Sequence, residues 1–336
     1  MAATSDASVG TIPEVTYGTP LTPSRWYEFI DESFDYEKVV KQGAGLRVGS
    51  RVARSGRRVV VETMAKGGLS VEMVSKGLGT LLQTCFGTGT STLVSGTTYQ
   101  QMFTAGAGTV PSMTVQKAAI RADGTVDAYT YNGGVVDSFE IDCPQGDIVQ
   151  LKTSMIFRDM LTATGYAAPS YPVGPSLFHF AQGSITVGGT VTAPTTTALA
   201  TGGTAVANVR DFNIKVDNKL GADRYNYGAS GKMVQPTYGL RDLSGKMTIE
   251  YTDQTLVNAY INDTPLALAL TFTSTEALST GFATLQIVLP EIKLNGEIPK
   301  TNGTDLITLG VDFDVLDNLT ATQPMWVVLR TADAAL

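Results

Sequence analysis

Histidine is nearly absent from this 336-residue chain, and that absence excludes more than any residue present. The single copy, His179, stands between Phe178 and Phe180. With one histidine and two cysteines, no histidine- or cysteine-based metal cluster is supported. A Ser-His-Asp centre would need His179 as its base, and no GxSxG elbow accompanies it. Gly87-Thr-Gly-Thr lacks the GK[ST] of a phosphate loop, and Gly43, Gly45 and Gly49 miss the GxGxxG spacing. Carboxylates are too numerous for any chosen pair to carry meaning. The sequence therefore predicts neither an enzyme nor a cofactor.

Other absences narrow the class. No apolar run approaches the ~20 residues needed to span a bilayer, the longest candidate being 266–272. The first ten residues, MAATSDASVG, hold neither a basic nor an apolar region, so no secretory signal is expected and folding in the cytoplasm is. Cys85 and Cys143 each sit on an apolar face, as two buried thiols would. Charged residues make up only 16% of the chain. With 35 Gly, 14 Pro and abundant Thr and Val, this composition points to a β-rich, turn-rich protein.

What charge there is, is uneven. Lys38, Lys41, Arg47, Arg51, Arg54, Arg57, Arg58 and Lys66 face one acid, Glu62, in their segment. That segment carries +7 in a chain of −7, so the remainder carries −14. Such a basic stretch binds nucleic acid or docks onto acidic surface. Docking is favoured, because no aromatic residues interleave the cations to stack bases.

Two stretches share one pattern. In 67–86, Leu69, Val71 and Met73 alternate with Ser70 and Glu72, as in a half-buried strand. Val74, Leu78, Leu81, Leu82, Cys85 and Phe86 then recur at helical spacing. About 178 positions later, in 244–264, Met247, Ile249 and Tyr251 alternate with Thr248 and Glu250. Leu256, Ala259 and Tyr260 follow at helical spacing. A later strand is also repeated, 147–159 being matched by 305–317. Two units recurring in the same order imply a tandem duplication.

The chain then divides as follows. Residues 1–25 read as an extended N-terminal arm and 26–161 as a first module, with strands at 99–103, 112–115, 135–143 and 147–159. A loop is expected at 87–96. The Gly- and Pro-rich 162–177 is a linker. The second module, 178–317, holds strands at 209–217, 267–273 and 284–294 and a long polar loop at 219–242. Its Thr/Ala/Gly-rich insertion at 188–207 reads as an exposed hairpin or loop. Residues 318–336 contain an apolar stretch, 325–329, able to add a strand to its own sheet or a neighbour's.

GLSVEMVSKGLGTLLQTCFGTG at 68–89, YQQMFTAG…PSMTVQ at 99–116, GGVVDSFEIDCPQGDIVQLK at 133–152 and SITVGG…VRDFNIKVDNKL at 184–220 give the chain a resemblance. It resembles the major tail tube proteins of long-tailed, siphovirus-type bacteriophages over roughly residues 26–317. The resemblance implies β-sandwich modules, each with a short flanking helix, closing into rings whose inner sheets form one continuous β-barrel. Single-module members form six-subunit rings, so two modules per chain imply a ring of three chains, with six chains as the alternative.

Stacked rings would enclose the tape-measure protein, meet tail terminator and baseplate proteins, and pass DNA without specific binding or membrane insertion. The expected location is the virion tail, after assembly in the host cytoplasm. An acidic lumen is implied as well. Strand alternation supplies its candidates: Glu72, Glu140, Asp142, Asp211, Glu250, Asp312 and Asp314. Lys152, Arg158 and Lys215 share that kind of face and offer cross-strand partners. The basic loop is expected to stack onto the adjacent ring. A competing expectation is a β-sandwich decoration or carbohydrate-binding protein, but Trp26 and Trp326 lie too far apart in sequence to suggest an aromatic platform.

Overall fold

The computed structural model describes residues 6–206, 208–296, 298–301 and 306–336. Among the described residues the chain is mainly β, with two short α-helices. Its strands are β1 (Ser8–Pro13), β2 (Arg25–Tyr27), β3 (Phe29–Glu32), β4 (Asp35–Gln42), β5 (Arg58–Glu72), β6 (Gly87–Ser95), β7 (Thr98–Ala105), β8 (Met113–Ile120), β9 (Val126–Cys143), β10 (Gln150–Phe157) and β11 (Asp159–Leu161). Then follow β12 (Gly183–Val187), β13 (Val191–Thr192), β14 (Thr201–Gly202), β15 (Val209–Asp217), β16 (Asp242–Glu250), β17 (Leu266–Ala277), β18 (Phe282–Gly296), β19 (Thr308–Val315) and β20 (Trp326–Thr331). Helix α1 (Gly79–Phe86) lies between β5 and β6, and α2 (Thr255–Ile261) between β16 and β17.

Strand pairing runs without a break through both halves of the sequence. β3 and β4 lie end to end along one edge of β5. From there the antiparallel order is β5–β10–β9–β15–β16–β19–β18. The first four positions come from the first half of the sequence and the last four from the second, and the two halves meet at a seam where β9 pairs with β15. Two further layers cover the apolar side. One is β2–β1–β8–β9–β11, and the other is β12–β17–β18–β20–β7–β6.

β9 and β18 serve two layers each because each changes partner along its length. β9 leaves β8 at Gly134 and meets β10 from Val135. The preceding Gly133 has φ +64°, a bend that side chains resist. β18 pairs with β20 over Thr284–Val288 and with β19 from Ile292. Pro290, which has no N–H to donate, falls between them. Between the layers lies the main buried core, including Leu69, Val71, Leu81, Phe139, Ile141, Phe157, Ile214, Met247, Ile249 and Phe313. Burial of this apolar surface, at about 25 cal/mol per Å², is the main force holding the layers together. The two thiols are free and buried within it.

Several expectations need correction. The helical pattern from Val74 yields a helix only from Gly79, because Val74 bridges Leu177 and Ser75 bonds Ser176. The 87–96 stretch is a strand rather than a loop; β6 pairs along β7. The N-terminal segment is not only an arm, since β1 buries Val9 completely between β2 and β8. The 188–207 insertion does form a small hairpin, but Ala200 is buried beside Val288, Trp326 and Val328. Residues 325–329 join the chain's own sheet, between β18 and β7. Among the described residues the sheets do not close into a barrel within one chain. Positions 1–5 of the arm, 207 of the insertion and 305 of the repeated strand lie outside the described residues.

Candidate functional site: a polar sheet face and a basic hairpin

The face of the long sheet opposite the core is where the structure places all seven candidate acids. Register aligns one row as Glu72, Gln150, Asp142, Asn213, Lys246, Asp312 and Asn295. The next row is Ser70, Lys152, Glu140, Lys215, Ser244, Asp314 and Lys293. Asp211 stands opposite Thr248, whose amide it accepts at 2.9 Å, and Glu250 lies beyond, opposite Thr308. The spacing between alternate residues on neighbouring strands puts such side chains within reach of one another.

Cations therefore interleave with the acids. Lys152 pairs with Asp142 at 2.7 Å, a bond that raises the lysine pKa. Arg210, in a bulge at the start of β15, pairs with Glu250 at 2.6 Å. Asn213 donates to Glu140, and Asn295 donates to Asp314 at 2.6 Å. Arg158 is not among these groups; it follows β10 and lies over the Tyr17 ring, 5.9 Å from its centroid. Sequence alternation found the acids but missed Lys246, Lys293, Asn213 and Asn295. The register that makes them neighbours is a tertiary property. Among the described residues no group of His, Cys, Asp and Glu is placed to hold a metal ion. No helix there is long and apolar enough to cross a membrane.

The family model for phage tail tube proteins matches residues 4–315. The chain belongs to the phage tail tube protein family. No curated protein matches it. A tail tube protein is a structural component of the virion tail that stacks on itself into a tube.

In this tail tube protein the eight candidate cations lie on one hairpin rather than in a loop. Lys38 and Lys41 belong to β4, while Arg58 and Lys66 belong to β5. Arg47, Arg51, Arg54 and Arg57 lie in the connection 43–57. β5 runs beyond the start of its pairing with β10, at Ala65, so 58–64 and β4 project from one end of the long sheet. Lys66 pairs with Glu37 at 2.8 Å. Among the described residues, the other seven have no carboxylate partner. Among the described residues, hydrogen bonds of the 43–57 connection stay inside the hairpin, as in Gly43 N–H to Arg57 O at 2.9 Å.

The second long loop, between β15 and β16, emerges at the same end but is folded down. Gly231 O accepts from Thr63 N–H at 2.9 Å, Lys232 pairs with Asp159, and Gln235 donates to Val110 O at 2.8 Å. Met233 is buried beneath it. So one loop is anchored and the other stands free.

The seam is fixed by buried polar groups. The Asn218 side chain, with no exposure, donates to Cys85 O at 3.1 Å and Val136 O at 2.9 Å. Nearby, burial and the Asp217 charge raise the pKa of Asp137.

Proposed function

We propose that three chains, each made of two tandem modules, close into a ring of approximate six-fold form, and that rings stack into the tail tube of a siphovirus-type phage. The observation that carries this reading is the eight-position sheet order, β3/β4–β5–β10–β9 followed by β15–β16–β19–β18. Within the chain, β9 of the first unit pairs with β15 of the second. Repeating that joint from β18 to the β3/β4 edge of the next chain closes the ring and covers both free edges.

The polar face then lines a continuous inner barrel. Glu72, Glu140, Asp142, Asp211, Glu250, Asp312 and Asp314 face a lumen that encloses the tape-measure protein and later passes DNA. Interleaved cations offset acids of the same face, as Lys152 does for Asp142 and Arg210 for Glu250, leaving a mildly acidic, well-solvated wall over which phosphates slide. The tube meets terminator and baseplate proteins at its ends. The role is structural, without catalysis. Electron cryomicroscopy of tubes assembled from the purified protein tests the stoichiometry. Three chains per ring are expected; six chains per ring would sink the tandem reading.

A further inference from the structure

The free hairpin connection is not only basic. Leu46 is 100% exposed, Val48 99% and Val52 82%, an unusual apolar display for a solvated loop. Among the described residues nothing covers them. At the opposite end of the long sheet, where β15 begins and β9 ends, there is a groove of ≈ 460 Å³ between β12 and β15. Its walls include Phe180, Ile185, Val206, Val209, Leu270 and Phe272, and on its rim Asp211 stands beside Arg210, whose charge is taken up by Glu250 at 2.6 Å. Asp147 adjoins it, since its carbonyl accepts from Phe180 N–H at 2.9 Å, and its side chain is exposed. Between β1 and β3 of the first half the matching gap is closed by Tyr27, whose hydroxyl bonds Thr11 at 2.8 Å. Each chain thus has one free apolar-and-basic loop and one open apolar-and-acidic groove, at opposite ends.

We infer that the 43–57 loop of one copy docks into the β12–β15 groove of a second copy. Leu46, Val48 and Val52 enter the apolar walls, while the arginines meet Asp147 and Asp211 at its rim. Donor and acceptor surfaces differ, so the contact is heterologous, and because they lie at opposite ends of the long sheet it propagates along that axis. This inference rests on the stacked-ring reading and adds the surface through which the rings engage. Charge complementarity and one-to-one stoichiometry favour the hairpin of a second copy over any other occupant.

A cross-linking experiment tests it. The Val48→Cys/Ser184→Cys protein is assembled from mixed heavy-isotope and ordinary chains, treated with a short bis-maleimide, and digested for mass spectrometry. Residue 184 lines the exposed mouth of the groove, and the native Cys85 and Cys143 are buried away from reagent. The expected product joins residue 48 of one isotope to residue 184 of the other. Tubes that yield no such link, or that link 184 to a different segment, overturn the docking and leave stacking intact. Failure to form rings or tubes at any concentration overturns both.

A second variant, Leu46→Ser/Val48→Ser/Val52→Ser, changes only solvated positions. It is expected to raise the concentration needed for tubes by at least about tenfold. An unchanged threshold overturns the inference.

Discussion

Gly67 and Gly245 occupy the same position in the two repeated strand–helix stretches, and neither leaves room for a side chain. A Cβ on Gly67 would lie 2.5 Å from the Phe34 backbone; on Gly245 it would lie 2.2 Å from the Phe313 ring and 2.6 Å from Asn213 O. Both glycines let a neighbouring strand pack close, and one is met by backbone, the other by an aromatic ring. Gly245→Ala is expected to cost about 1–3 kcal/mol, as overpacking of a filled core does, read as a lower urea midpoint without a change in slope.

Asp137 works in the opposite direction. Its folded pKa is raised, first by burial and then by Asp217, so its charge opposes folding. Below the unfolded carboxylate pKa of about 3.9 both states are protonated and the cost vanishes. As pH rises through the raised folded value, the cost is fully imposed. Asp137→Asn should therefore raise Tm near about pH 7 and have little effect near about pH 3; a gain of equal size at both would refute the assignment.

The 188–207 insertion shows how an element poor in large apolar residues still finds a place. It is held mainly by polar side chains from the sheet beneath it. Gln100, fully buried, donates to Thr195 O at 2.7 Å and Ala198 O at 3.1 Å. Gln286 accepts from Ala200 N–H at 2.8 Å, and Arg330 reaches Thr197 O. Gln100→Ala strands these carbonyls and should cost about 1–3 kcal/mol, with faster protease cleavage inside the insertion as the local signature.

The insertion's hairpin was legible from its composition, but its burial was not, because the clamps come from β7, β18 and β20, far away in sequence. The helix boundary at Gly79 was hidden for a similar reason: the partners that pull Val74 and Ser75 out of the helix are Leu177 and Ser176. β15, by contrast, was read with its final bounds, since alternation alone decides a strand with one buried face.

The whole molecule is polarised along its sheet, with the free basic hairpin at one end and the open groove at the other. Reversing charge at Arg54, Arg57 and Arg58 to Glu touches no core contact, so stability should change by less than about 0.5 kcal/mol. The expected outcome is soluble protein that no longer stacks, seen by sedimentation and electron microscopy; tubes at the normal threshold would sink the stacking role. The sequence located these cations. It did not reveal that one long loop is pinned and the other free, because the pins, Thr63 and Asp159, belong to the first half and meet the loop only in the folded chain.

The position of β20 also bears on how the chain folds. It fills the gap between β18 and β7, and Arg330 bonds Gln100, 230 residues away. During synthesis β7 emerges early and then waits, its edge open, until β20 leaves the ribosome. Such a distant pairing slows folding, and the waiting edge is a site for premature association between nascent chains.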